Sequence, residues 1–232
     1  MLLSTEKTCE RRVATKQAPI VKASPALKTT VGKTLRYPIL VGDKWGTLPK
    51  SIQDRFLKWT QNRKVIIYQG RLLETRFSKL GRLLSNLCWL IGKPLPDVRN
   101  VRGPSTVIVR ECRERNAQIW TRIYPRENNV PQVIQSIKVF EGVTGLEEMI
   151  TKTIGMSLTL EAHNDRLNFV SNHYFIKLGN MRLKIPSSLT PGRLCVSHKA
   201  LGPKRFRFTL SITHRFWGEL IFQTAIYQEV EQ

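Results

Sequence analysis

Gln118 to Tyr124 reads Gln-Ile-Trp-Thr-Arg-Ile-Tyr and alternates as a strand does, so Trp120, Arg122 and Tyr124 share one face. Ile119, Thr121 and Ile123 share the other. A guanidinium between two aromatic rings on an inward face is costly to bury unless an anion meets it. Arg122 is therefore either a member of a structural ion pair or the polar end of a pocket. In Leu146-Glu147-Glu148-Met149-Ile150, alternation groups Glu148 with Leu146 and Ile150 and sets Glu147 beside Met149. A carboxylate among apolar neighbours calls for a cation, and Arg122 is its natural partner if the two strands are adjacent. Two chemistries are open to such a pair. Arg122 can hold a ligand carboxylate or phosphate through its forked donors, with Trp120 and Tyr124 as apolar wall and Glu148 orienting it. Alternatively, a desolvated Glu148 with a raised pKa can serve as an enzyme's acid or base.

Other familiar chemistry is not written here. The histidines, His163, His173, His198 and His214, have no metal-ligand spacing, and the cysteines, Cys9, Cys88, Cys112 and Cys195, form no C-x-x-C pair. Gly32-Lys33-Thr34 lacks the earlier glycine of a phosphate loop, and no dinucleotide fingerprint, nucleophile elbow or kinase signature occurs. No metal and no cofactor is expected. Lys204-Arg205-Phe206-Arg207-Phe208 interleaves base and ring, but alternation points phenylalanines one way and arginines the other, the pattern of an amphipathic strand rather than a stacking platform.

The elements that must position these residues are mostly strands. After Pro104, runs at Ser105–Glu111, Ala117–Tyr124, Gln132–Glu141, Leu146–Ile150, Thr153–Glu161, Arg166–Leu178, Met181–Ile185, Lys204–His214 and Glu219–Tyr227 are separated by short turn-forming segments. Short connections favour antiparallel pairing, and so many strands curl into a barrel or sandwich. Before them, Lys64–Phe77 reads as a strand with a bend or bulge at Gly70. Two helices are expected, near residues 50–61 and 79–91. The second is capped by Ser78, with Leu80, Leu83, Leu84, Leu87, Leu90 and Ile91 taken as its packing side and Lys79, Arg82 and Ser85 outward. The class is α+β, mainly β.

Charge sets the partners. The chain of 232 residues carries 38 Lys and Arg against 17 Asp and Glu, net +21. The excess is spread along the chain, so it attracts anionic partners without naming one; nucleic acid or anionic lipid contacts through this surface are a further functional alternative. Residues 1–36 lack periodicity and read as a disordered basic tail ahead of a domain over residues 37–232. No run of about 18 apolar residues exists, so no transmembrane helix is expected. Unpaired cysteines fit a reducing compartment, and the expected location is cytoplasmic, with peripheral membrane association as the variant.

Several segments together resemble a bacterial family of unknown function, DUF4166. The resemblance is carried by Trp45-Gly46-Thr47-Leu48-Pro49, Tyr68-Gln69-Gly70, Gly81-Arg82-Leu83-Leu84 through Gly92-Lys93-Pro94-Leu95-Pro96, Trp120-Thr121-Arg122-Ile123-Tyr124, Ser136, Glu148, Leu183-Lys184-Ile185-Pro186, Phe206-Arg207-Phe208 and Phe216-Trp217-Gly218-Glu219-Leu220. Their order over roughly residues 40–227 carries the likeness; a family glycine near the end is missing in Phe222-Gln223-Thr224-Ala225. The resemblance implies no catalytic residue, but it puts Trp120, Arg122 and Glu148 within the family pattern. The leading expectation is a β-barrel whose cavity binds a small apolar or amphipathic anion, such as a fatty acid, through Trp120, Arg122, Tyr124 and Glu148.

Overall fold

Period-two alternation produces eleven strands among the residues that the computed structural model describes, which are 36–57, 65–88, 95, 102–112, 114–126 and 129–230. They are β1 (Val65–Phe77), β2 (Gly103–Cys112), β3 (Ala117–Arg126), β4 (Asn129–Val139), β5 (Glu147–Met149), β6 (Ile154–His163), β7 (Arg166–Leu178), β8 (Met181–Lys184), β9 (Arg193–Ala200), β10 (Arg205–His214) and β11 (Gly218–Glu229). The sheet runs β6-β5-β4-β3-β2-β1-β11-β10-β9-β7-β8, and a further β6–β7 pairing closes it. All the pairings are antiparallel. Ten strands thus form a closed barrel. The last, β8, pairs on the same edge of β7 as β9, beyond the point where β9 departs. Closure removes the exposed edges that an open sheet of this size would present.

The barrel's two ends differ. Helix α1 (Arg36–Val41), a 3-10 segment (Gly42–Thr47) and helix α2 (Lys50–Leu57) fill one end. There Tyr37 and Phe56 meet edge to face at 4.9 Å, with Phe169 and Phe140 beside them. Helix α3 (Lys79–Leu87) lies at the other end, following β1 and packing on β11. Ser78 caps it: its Oγ accepts from the Gly81 N–H at 3.0 Å, and its own N–H reaches the Leu220 carbonyl.

Several expectations are corrected by packing. Three α-helices, not two, stand among the described residues; α1 arises because Tyr37 is fully buried against the barrel end. The segment with Cys195 and His198, absent from the strand runs read in the sequence, is strand β9. Gly70 is not a bulge. The register shift in β1 falls between Leu72 and Glu74, and Gly70 is required because the Tyr227 ring and the Ile226 carbonyl of β11 occupy the space of a side chain. The alternation read along β7 also changes phase midway. Asn172 has no partner in register between Ser171↔Leu158 and His173↔Ser157, so Phe169 and Tyr174 both join the core although they differ in parity. Of the tail read at residues 1–36, residues 1–35 lie outside the described residues, as do the helix ends read at 58–61 and 89–91, while Arg36 is the first residue of α1.

Helix α3 packs by a different face from the one expected. Gly81 faces β11 so closely that a Cβ would enter the Leu220 carbonyl, and Leu84 and Cys88 follow on that side. Leu80, Leu83 and Leu87 turn outward. Gly81→Val should force the helix off β11 and cost about 1–3 kcal/mol by overpacking, read as a lower urea midpoint with an unchanged slope.

Candidate functional site

Strands β3, β4 and β5 build the site by register. Arg122 stands opposite Ile134, Trp120 opposite Ser136, and Lys138 opposite Glu148. The expected pair of Arg122 and Glu148 exists, but β4 lies between their strands and supplies the closer partners. Lys138 Nζ is 2.9 Å from Glu148 Oε2, and the Ser136 hydroxyl donates to Glu148 Oε1 at 2.6 Å. Arg122 Nη2 lies 4.0 Å from Oε1, beyond hydrogen-bond reach. These side chains are 12% (Arg122), 5% (Lys138) and 7% (Glu148) exposed, so two cations and one carboxylate share the barrel interior.

Burial alone would push the Glu148 carboxyl up. The charges of Lys138 and Arg122 and the hydrogen bonds from Ser136 and Lys138 outweigh it and hold the pKa below the usual carboxylate value. This reverses the raised value that an acid–base role calls for. Burial, with Arg122 adding to it, lowers Lys138, and Glu148 opposes that shift. With Lys138 and Glu148 neutralising each other, Arg122 remains as a surplus positive charge.

An apolar cavity of about 240 Å³ lies directly against this cluster. Arg122, Ser136 and Glu148 form its polar patch, and residues such as Met156, Tyr174, Leu194 and Ile212 its apolar wall. Leu84 and Cys88 close it from the α3 side. Leu189 also lines it while 78% exposed, so the cavity reaches the surface there. Trp120 and Tyr124, expected as wall, are buried but do not line this cavity. Tyr124 donates to Gln223 Oε1 at 3.3 Å. Trp120 sits deeper, its ring 4.8 Å from Lys138 Nζ and its N–H 3.4 Å from Gln118 Oε1, which also accepts from Tyr37 at 2.6 Å. A larger open groove, about 1080 Å³, runs along the outer wall and shares Tyr174, Ile185 and Thr190 with the cavity. It contains none of the three interior charges, so the smaller cavity is the candidate site.

Below the cluster, toward α2, lies His198. It is 3% exposed and ringed by Phe56, Phe169, Phe206, Phe208 and Trp120 at 5.4–6.0 Å. Burial, followed by the charges of Arg55, Lys138 and Arg122, lowers its pKa well below the usual histidine value, so it is neutral. Arg55 caps the same aromatic group, its guanidinium 3.8 Å from the centre of the Phe206 ring, and burial lowers its pKa to about 10.

Lys138, Ser136 and His198 are the residues that strand reading missed. In β4 the buried face is Gln132, Ile134, Ser136 and Lys138, while Val133 is 52% exposed. Apolar-inward reasoning assigns that strand the opposite phase. The usable signal was hydrogen-bonded pairing: once Trp120 is inward, its register partner Ser136 is inward too, and Lys138 with it. Glu147 and Glu148 do divide as alternation predicts, Glu147 meeting Arg182 of β8 at 2.7 Å. Phe206 and Phe208 are buried, in keeping with an amphipathic strand. Among the described residues, no helix is long and apolar enough to span a membrane.

A family model for a domain of unknown function, DUF4166, matches residues 48–226, and the chain belongs to that family. No curated protein matches the chain. No solved structure matches it.

His198 gives the fold a pH signature. Its folded-state pKa is depressed, so the unfolded chain takes up a proton first as pH falls past about 6.5, and stability declines from there. Glu148, also depressed, contributes above its unfolded value of about 4.3 and is lost only at lower pH. His198→Phe should flatten the decline between about pH 7 and pH 5 by up to about 1.4 kcal/mol per pH unit. Urea unfolding across that range checks it; identical slopes for both proteins would refute the assignment.

Proposed function

We propose that this DUF4166 member binds a small amphipathic acid, with the carboxylate at Arg122 and the hydrocarbon in the cavity beneath α3. The observation that carries the reading is the surplus positive charge of the Arg122–Lys138–Glu148 cluster at the polar patch of an otherwise apolar cavity. A buried cation that its own carboxylate reaches only at 4.0 Å is incompletely neutralised, and an incoming anion completes the pair. Ligand sites generally combine apolar walls with a few placed polar groups, as here. The cavity's 240 Å³ falls just under the common lower bound of about 300 Å³ for such sites, which suits a short acid or the head end of a longer one.

In this reading Glu148 is a positioning residue. It holds Lys138 and sets the orientation of Arg122, and its lowered pKa keeps it an acceptor rather than a proton donor at neutral pH. Trp120 supports the cluster from below through the Lys138 ammonium. Tyr124 supports the wall behind Arg122 rather than forming it.

Decanoate and decanol, added separately to delipidated protein, test the reading. Decanoate should raise the melting temperature and decanol less so. Arg122→Met should weaken decanoate by about 10- to 100-fold, the worth of a charge-assisted hydrogen bond of roughly 1.5–3 kcal/mol, while leaving decanol nearly unchanged. Equal losses for both compounds, or no effect of decanoate together with no small acid copurifying in native mass spectrometry, would exclude it.

A further inference from the structure

Helix α3 carries apolar residues on two sides. Gly81, Leu84 and Cys88 serve the barrel and cavity. Leu80, Leu83 and Leu87, spaced by three and four, are 40%, 55% and 55% exposed and form a continuous outward stripe. The stripe continues onto neighbouring segments. Ser78 and Gly81 lie on Leu220, and the turn that leads into β11 carries Phe216 and Trp217, 66% and 56% exposed. Trp217 stacks on His214 at 4.2 Å, and Gly192 packs against the His214 backbone, which brings the turn bearing Leu189 to the same end. Leu84 of the same helix and the exposed Leu189 line the cavity, so this apolar face and the cavity's opening belong to the same end of the barrel.

The charge beside this apolar face is mostly positive. Lys79, Arg82 and Arg215 are exposed, and residues 78–88 contain no carboxylate. The nearby carboxylates Glu74 and Glu219 both meet Arg76, at 3.0 and 3.4 Å. Leucine, phenylalanine and tryptophan flanked by lysine and arginine suit the boundary between headgroups and acyl chains. A second copy of this chain, itself net +21, would bring like charge against like charge. An anionic bilayer supplies both the apolar phase and the opposite charge.

We infer that the α3 end of the barrel docks on an anionic lipid bilayer, with Leu80, Leu83, Leu87, Phe216 and Trp217 entering the headgroup boundary. Docking puts the cavity mouth at the lipid surface, where an amphipathic acid can pass directly between bilayer and barrel; that consequence rests on the proposed ligand, whereas docking itself does not.

Cosedimentation with phosphatidylcholine vesicles, with and without phosphatidylglycerol, tests it on the full chain. The protein should pellet with the anionic vesicles, release as salt is raised, and bind neutral vesicles weakly. Leu83→Glu with Leu87→Glu should reduce anionic-vesicle binding by roughly tenfold or more, and Phe216→Ser with Trp217→Ser should do the same. Both pairs are exposed, so decanoate binding should stay at the wild-type level. Undiminished vesicle binding by both pairs would overturn the docking face. So would a wild-type chain that ignores vesicles but self-associates in sedimentation velocity through these leucines. Vesicle binding without decanoate binding would sink the ligand reading and leave docking standing; the reverse result would sink docking alone.

Discussion

Two cations and one carboxylate share the barrel interior, and the surrounding structure can be read as the means of tolerating them. Taking an ion out of water costs several kcal/mol even after relaxation. Glu148 offsets that cost for Lys138 through an ion pair of 2.9 Å and a hydroxyl donor from Ser136. It cannot do so equally for Arg122, which stands across β4 at 4.0 Å. The fold puts that remaining charge beside empty space rather than against packed hydrocarbon. Strand β5 is only three residues long, yet its register is held on both sides of the wall. Glu148 is gripped inside, while Glu147 is gripped outside by Arg182, whose Nη2 also reaches Glu141 at 2.6 Å. A slip of one residue would put either Glu147 or Met149 in the place of Glu148 and turn Glu148 to the outer face, so the inner and outer ion pairs could not both be kept.

Much of the barrel could be read from residue type because most strands obey apolar-inward alternation and are punctuated by turn-formers. Strand β10, whose Phe206, Phe208, Leu210 and Ile212 all turn inward, and the inward Trp120-Arg122-Tyr124 face are cases where local pattern and tertiary need agree. The strands that mislead are those that serve the polar interior. In β4 the buried face is the more polar one, because it must supply Ser136 and Lys138, so periodicity favours the wrong phase. In β7 the extra residue Asn172 resets parity and brings Tyr174 to the cavity, a change that no periodic count contains. Strand β9 is masked by its Pro191-Gly192 entrance, where Gly192 is held against the backbone of Thr213 and His214. The candidate site was therefore half legible. Arg122 and Glu148 declared themselves by being charged among apolar neighbours, whereas Lys138 hid within a strand whose apolar residues face outward.

The two barrel ends embody different physical regimes. At the α2 end, Phe56, Phe169, Phe206 and Phe208 surround His198 edge to face and in stacked contact, Tyr37 packs on Phe56, and Arg55 lies over Phe206. Aromatic packing of this density excludes water and keeps the imidazole neutral. Lys138 marks the boundary, with aromatic faces of Trp120 and Phe169 on one side and Glu148 on the other. Beyond it the interior loosens into the cavity. The aromatic plug thus fills the α2 end, and the cavity lies on the α3 side.

Helix α3 is suited to that position by its own composition. A surface helix normally has one apolar stripe, and a helix apolar on several faces belongs inside an apolar environment. In α3 the glycine side meets β11, Leu84 and Cys88 meet the cavity, and Leu80, Leu83 and Leu87 face away from the protein. Its fixed points to the sheet lie at its first turn, through Ser78 and Gly81 on Leu220, so the later turns are the ones that border the cavity and the outside at once. Water is a poor solvent for that outward stripe, and the proposed lipid boundary is a good one. The same segment then separates two apolar regions, the cavity and the bilayer, with little polar material between them. Under the proposed reading, the cost of crossing for an amphipathic acid would be set chiefly by its carboxylate, for which Arg122 lies on the inner side and the exposed Lys79 and Arg82 on the outer.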